Sequence, residues 1–205
     1  MNTQTLDTVV FDLGNVMIPW DPRVLYRKLL PDEAAVDAFL RDICPPSWNA
    51  HQDRGRPIAQ GVAEHVAQHP EHEALIRAYY DRWDETIGEA IEGSVALMRE
   101  LKAAGIHVFA LTNFSGETFP RARLRFPFLG EFEGIVVSGD EMLIKPEPEI
   151  YQVLFARYGI APERAVFIDD SIANVEAARA QGMQGIHFMD AVQLRGALKG
   201  LGLPV

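Results

Sequence analysis

The chain has 205 residues, 48% hydrophobic and 23% charged, which is enough to bury one large core, or a core with an insert. Its 19 Lys and Arg stand against 29 Asp and Glu. The resulting net charge of −10 argues against nucleic acid or an anionic membrane surface as a main partner. No apolar run approaches the roughly 20 residues that span a bilayer, and Met1–Gln4 lack the basic and apolar regions of a signal peptide. Cys44 is the single cysteine, so no intramolecular disulfide forms and a reducing cytoplasm is the expected compartment. It precedes Pro45-Pro46 with no base signalled nearby, and reads as a structural or exposed thiol.

The first element is a strand, the apolar, β-branched run from Leu6 to Phe11 that ends on Asp12 and continues Leu13-Gly14-Asn15-Val16. From Pro19 to Gly88 no convincing strand follows. That stretch holds Trp20, Trp48 and Trp83 and helical patterns over Val24–Leu30 and Glu33–Ile43, and is read as a helical insert over residues 19–88. The core then comprises residues 1–18 and 89–205. Its remaining elements alternate: a helix over Ser94–Ala104 stopped by Gly105, a strand over Val108–Leu111, and a strand over Ile135–Val137. A helix over Glu147–Tyr158 precedes a strand over Ala165–Ile168 that ends on Asp169-Asp170. A helix capped by Ser171, a strand over Gln184–Phe188 and a helix over Val192–Leu201 complete the chain. Apolar strands separated by helices predict an α/β fold with a parallel, doubly wound sheet.

In such a sheet the carboxyl ends of the strands converge on one edge. Four successive ends here carry Asp12, Thr112 with Asn113, Lys145, and Asp169 with Asp170. Each alone has an ordinary structural use, as a turn, a helix cap or a solvated charge. Together they suit nucleophilic displacement at phosphorus. Asp12 supplies the attacking carboxylate, and Asp12 with Asp170 offers hard oxygen ligands for Mg²⁺. Lys145 neutralises the charge that gathers there. The Thr112 hydroxyl and the Asn113 amide or backbone donors bind the phosphoryl oxygens.

Four motifs in order resemble those of the haloacid dehalogenase-like hydrolase superfamily, over essentially the whole chain. They are Val9-Val10-Phe11-Asp12-Leu13-Gly14-Asn15-Val16, Ala110-Leu111-Thr112-Asn113-Phe114-Ser115, Lys145-Pro146-Glu147-Pro148-Glu149-Ile150-Tyr151, and Phe167-Ile168-Asp169-Asp170-Ser171-Ile172-Ala173-Asn174. The resemblance implies a Rossmann-like core, a helical cap and an aspartyl intermediate on Asp12. It also implies magnesium held by Asp12, the Gly14 backbone carbonyl and Asp170, with Asp169 and Asn174 supporting the ion from nearby.

One position departs from that pattern. Most phosphatases of the superfamily carry an aspartate where Gly14 stands, and that aspartate moves the leaving-group proton. General acid/base help is worth about 10²- to 10⁴-fold, so a replacement is expected from Asp21, His51 or Asp53, or else a substrate with a good leaving group. Trp20, Asp21, Trp48, His51 and Arg54 are the candidate substrate-facing residues of the insert, and aromatic and basic groups there suit a sugar or a carboxylated leaving group. The expected activity is a Mg²⁺-dependent phosphatase of a small phosphorylated metabolite. Two alternatives stand beside it: a metal-independent 2-haloacid dehalogenase, with Arg41 in a plausible stretch for halide binding, and a non-catalytic binding protein on the same fold.

Overall fold

A computed structural model describes residues 5–205. Met1–Gln4, on which the signal-peptide expectation rests, lie outside the described residues. Strand β1 (Thr8–Phe11) is followed by a helical stretch: α1 (Arg23–Tyr26), α2 (Glu33–Ala38) running into a wide π-turn over Phe39–Ile43, α3 (Pro46–Asp53), α4 (Ile58–Gln68) and α5 (Glu73–Asp81). The chain then alternates through α6 (Glu92–Ala103), β2 (His107–Thr112), α7 (Phe119–Arg125), β3 (Gly134–Val137), α8 (Ser138–Glu141) and α9 (Pro148–Tyr158). It ends with β4 (Ala165–Asp169), α10 (Ile172–Ala180), β5 (Gln184–His187) and α11 (Ala191–Gly200).

The five strands are all parallel, in the order β3-β2-β1-β4-β5. Strand β1 is the central one, and its sequence Thr-Val-Val-Phe is buried throughout. Side-chain alternation divides it between two cores. Val9 and Phe11 join Val108, Ala110, Val166 and Ile168 on the face covered by α6 and α11, through Leu97, Leu101, Leu194 and Leu198. Val10 joins Phe109, Leu111 and Phe167 on the face covered by α9, through Ile150, Tyr151 and Leu154. Chain order runs outward from β1 to β3 and then returns to β4 on the opposite side of β1, so the direction of winding reverses between β1 and β4. This reversal opens the crevice where such sheets bind ligands.

The helical stretch between β1 and α6 has an apolar core of its own, built from Tyr26, Val36, Phe39, Trp48, Ile76 and Tyr79. Cys44 is buried in it, and burial pushes its thiol up to about 12, so it stays protonated and structural. The two chain crossings that join this insert to the sheet are paired with each other. Trp20 and Ile87 form an antiparallel bridge, flanked by Asp21 N–H to Thr86 O at 2.8 Å and Gly88 N–H to Pro19 O at 3.0 Å.

Three local expectations are corrected. The helix over Val24–Leu30 is a single turn, because Lys28 and Leu29 tighten to i→i−3 bonds ahead of Pro31. Ser171 occupies the N-cap of α10, but its side chain makes no cap bond; its N–H instead donates to Asp169 Oδ1 at 2.8 Å. Helix α7, with three arginines in seven residues, carried no clear apolar period and was not anticipated. No helix among the described residues is long and apolar enough to cross a membrane.

Candidate active site

The register explains how the site assembles. Phe11 pairs with Ala110 on one side and Ile168 on the other, so Asp12, Leu111 and Asp169 fall on one row of three adjacent strands. Lys145 reaches this row from the loop after α8, and its ammonium contacts all three members. Nζ lies 2.9 Å from Asp12 Oδ1, donates to Asp169 Oδ2 at 2.7 Å, and donates to Leu111 O at 3.0 Å. All three N–H bonds of the ammonium are thereby used. Burial alone would lower the Lys145 pKa, but Asp12 and Asp169 more than offset it and hold the group charged.

The acids differ in how fully they are engaged. Asp169 is completely buried, and both its oxygens are taken: Oδ1 by Ser171 N–H and Asn174 Nδ2, Oδ2 by Lys145 and the same Asn174 amide. Asp12 Oδ1 also accepts the Leu13 N–H at 2.7 Å, and Oδ2 carries none of these bonds. Burial pushes Asp12 up to about 7, against the pull of Lys145 and with a further push from Asp169 and Asp170. Asp170 is more open, and desolvation and Asp169 raise its pKa as well. Carboxylate oxygens of Asp12, Asp169 and Asp170 lie within 4.8 Å of one another. Such a cluster of hard, same-sign donors fits a divalent cation of the magnesium type. With Asp169 saturated by donors, Asp12 and Asp170 are the free ligands.

The other strand-end residues divide in role. Thr112 Oγ1 is buried and without a hydrogen-bond partner, an orphaned hydroxyl of the kind a bound anion would satisfy. The Asn113 carboxamide is instead spent on the backbone of Lys145. Its Nδ2 donates to Lys145 O at 3.0 Å and its Oδ1 accepts the Lys145 N–H at 2.8 Å. Asn113 therefore fixes the loop that aims the ammonium, and only its backbone remains for an anion. Asn15 adopts a left-handed φ of 54°, a conformation Asn tolerates. In that geometry Nδ2 reaches Asp170 Oδ2 at 3.3 Å and Oδ1 accepts the Trp20 N–H at 2.9 Å. Gly14 does not have a left-handed φ, and a Cβ added to it would meet nothing within 4 Å.

All of these groups but Thr112 and Asp169, which lie buried behind its wall, line a cavity of about 230 Å³ that also receives Trp20, Asn49, Asp53, Tyr80, Trp83 and Phe114. Of the insert residues picked from sequence, Trp20 and Asp53 line it. Trp48 does not: it is buried in the insert core, stacked on His65 at 4.7 Å. His51 lines a separate depression with Arg56 and His65, and Asp21 an outer groove with Arg23 and Arg41. Arg54 crosses to the sheet domain and pairs with Glu147 through both guanidinium nitrogens. Asn49, Tyr80, Ser115 and Thr118 were missed. The first of these was findable, since Asn49 and Asp53 are four apart on α3 and share a face.

The seam between insert and sheet is narrow at one point. Ser138 Oγ donates to Asp53 O and accepts the Phe114 N–H at 2.8 Å. Beside it Gly55, at φ 105°, packs so close to Gly139 that a Cβ would sit 2.7 Å from the Gly139 carbonyl oxygen.

A carboxylate nucleophile candidate held by a buried ammonium, at the reversal point of a doubly wound parallel sheet, defines a hydrolase of Rossmann-like architecture. A sequence model of the haloacid dehalogenase-like hydrolase family matches residues 6–182, and the chain belongs to that family. It is 28% identical over 194 residues to a sesquiterpene phosphatase, astK, of Aspergillus oryzae, covering 92% of each chain. It is 26% identical over 193 residues to a phosphorylated carbohydrates phosphatase of Thermotoga maritima, covering 89% of this chain and 84% of that one. A HAD family enzyme from Bacteroides thetaiotaomicron, solved with magnesium and inorganic phosphate, superposes with a TM-score of 0.69 at 22% identity, over 90% of this chain and 95% of that one.

Proposed function

We propose that the protein is a magnesium-dependent phosphatase of a small phosphorylated metabolite, acting in the cytoplasm, with residues 19–88 as a cap over the site. The observation that carries this reading is the acidic cluster. Asp12, Asp169 and Asp170 place three carboxylates together against one ammonium, and a cation among them removes the repulsion an anionic substrate would otherwise meet. Asp12, the Gly14 carbonyl and Asp170 would hold Mg²⁺, and Asp169 and Asn174 would support it from behind. Bound there, the ion supplies charge that brings phosphoryl oxygens up to a carboxylate.

In this mechanism Asp12 Oδ2 attacks phosphorus while Oδ1 stays fixed by Lys145 and the Leu13 N–H. The Thr112 hydroxyl and the backbone at Asn113 bind equatorial oxygens as charge builds on them. Water then hydrolyses the aspartyl phosphate. The names of the two curated relatives support phosphatase chemistry but disagree on the leaving group. The cavity narrows it: Lys145 is the single Lys or Arg lining it among the described residues, and Ile18, Trp20, Trp83 and Phe114 supply apolar walls. A neutral leaving group fits these walls better than a carboxylated one, since Arg54 is already paired with Glu147. The volume of about 230 Å³ lies below the roughly 300–1,000 Å³ of drug-sized sites and suits a small substrate.

The dehalogenase reading loses its halide arginine, because Arg41 pairs with Asp42 at the surface and lies outside this cavity. The test is phosphate release from p-nitrophenyl phosphate with magnesium and with chelator, beside chloride release from 2-chloropropionate. Magnesium-dependent phosphate release that Asp12→Asn abolishes supports the proposal. Chelator-insensitive chloride release refutes it. Silence on a broad panel of both substrate types would leave a binding protein.

A further inference from the structure

Gly14 leaves the phosphatase chemistry without a group to protonate the leaving oxygen. The residues around the cavity offer few candidates. Asp12, Asp170 and Lys145 are committed to attack, to the cation and to charge neutralisation. Tyr80 faces the cavity, but its hydroxyl donates to Asn49 Oδ1 at 2.8 Å and accepts from Gln52 Nε2 at 2.9 Å, and burial drives its pKa far upward. Asp53, on the last turn of α3, is the remaining acid.

We propose that Asp53 is the general acid and base of the reaction, delivered from the helical insert in place of a carboxylate at position 14. This rests on the phosphatase reading above. Three observations support it. Asp53 and Gly14 line the same cavity, and the space a side chain at 14 would occupy is open. The carboxylate is oriented by a buried relay in which Gln52 donates to Tyr80, Tyr80 to Asn49, and Asn49 Nδ2 to Asp53 Oδ2 at 2.7 Å. Finally, desolvation raises Asp53 to about 7 against a lowering contribution from the Ser115 N–H, so both protonation states are present near neutrality.

The surrounding charges do not compete. Tyr79 and Tyr80 stay neutral, burial raising both. Arg54 pairs with Glu147, Arg56 with Glu64 and Gln52, Glu141 with Arg157, and His65 Nε2 with the Ile43 carbonyl. Asp140 lies against Gly116. In the first half-reaction the bond from Asp12 to phosphorus forms, the bond to the leaving oxygen breaks, and Asp53 gives its proton to that oxygen. In the second, the Asp53 carboxylate takes a proton from the attacking water, the bond to Asp12 breaks, and phosphate leaves with Asp53 protonated again.

The test compares p-nitrophenyl phosphate, whose anion leaves unaided, with phenyl phosphate, which has nearly the same shape and leaves as a stronger base. With magnesium, Asp53→Asn is expected to release about one nitrophenolate per chain in a burst, to retain the phosphoryl group on Asp12 by intact-protein mass spectrometry, and to turn over slowly. Its kcat/KM for phenyl phosphate should fall about 10²- to 10³-fold. A purely structural role would lower both substrates alike and leave no phosphorylated protein. Should the variant not fold, wild-type kcat/KM for phenyl phosphate must decline above about pH 7 while that for p-nitrophenyl phosphate stays level. Phenyl phosphate turnover by Asp53→Asn within threefold of wild type would overturn the assignment and leave the phosphatase reading intact. No phosphate release by wild type from either substrate would overturn that reading itself.

Discussion

Lys145→Met removes the ammonium and leaves the row of Asp12, Leu111 and Asp169 in place. In the native protein Nζ satisfies one oxygen on each, at 2.9, 3.0 and 2.7 Å. Deleting one partner of a buried pair costs about 3–5 kcal/mol. Asp169 keeps its Ser171 and Asn174 donors and Asp12 keeps the Leu13 N–H, so the expected loss is about 2–4 kcal/mol at about pH 8. The sign of its pH dependence follows from Asp12. Without the ammonium its folded pKa rises further above the unfolded one, from a starting point already near 7. The stability such groups contribute is present at low pH and is lost as pH rises through the folded values. The penalty should therefore shrink by half or more on going to about pH 5.5. Urea unfolding of both proteins in chelator at the two pH values measures this. A loss under about 1 kcal/mol at pH 8, or an equal loss at both, would refute the assignment of Lys145 as the group that neutralises this row.

Asp53→Asn should stabilise the fold at alkaline pH. Raising Asp53 from its ordinary 3.8 to about 7 makes ionisation oppose folding above that range. With cavity water screening the charge, relief of about 1–2 kcal/mol is expected near pH 8 and none near pH 4, and a variant no more stable than wild type at pH 8 contradicts it. Gly14→Asp should fold with a stability change within about 0.5 kcal/mol, because its Cβ enters open space. In the Asp53→Asn background it should restore part of the phenyl phosphate turnover. Gly139→Ala puts a Cβ 2.5 Å from Gly116 N and 2.9 Å from Phe114 O. A loss of about 1–3 kcal/mol is expected, read as a fall in Tm; unchanged melting would mean that the loop after β2 gives way freely to α8.

The strand ends were legible because a parallel sheet turns sequence order into proximity. Once β1, β2 and β4 are recognised as apolar runs, Asp12, Thr112 and Asp169 must gather at one edge of the sheet. Lys145 was legible as a strand-end charge, though not its grip on three strands at once, which depends on the register Phe11↔Ala110 and Phe11↔Ile168. The insert was harder to read. Residues close in its sequence point in different directions around α3: Trp48 goes into the insert core, His51 to an outer depression, Arg54 to Glu147, and Asn49 and Asp53 alone face the strand ends. A polar residue in a helical segment carries no mark of which neighbour its helix will face. Asn113 illustrates another limit. Its type suits anion binding, yet the fold uses its carboxamide to hold the Lys145 backbone on both sides.

The paired crossings at Pro19–Asp21 and Thr86–Gly88 set how the insert can move. Two separate linkers would let it tilt, twist and slide independently. Here the Trp20–Ile87 bridge and its two flanking hydrogen bonds join the linkers into a short ribbon, and a ribbon flexes readily about one in-plane axis while resisting shear and torsion. Any excursion of the insert is thus confined largely to a single angle. A return from such an excursion would be a search along one coordinate that brings α3 back to the strand ends in the same pose.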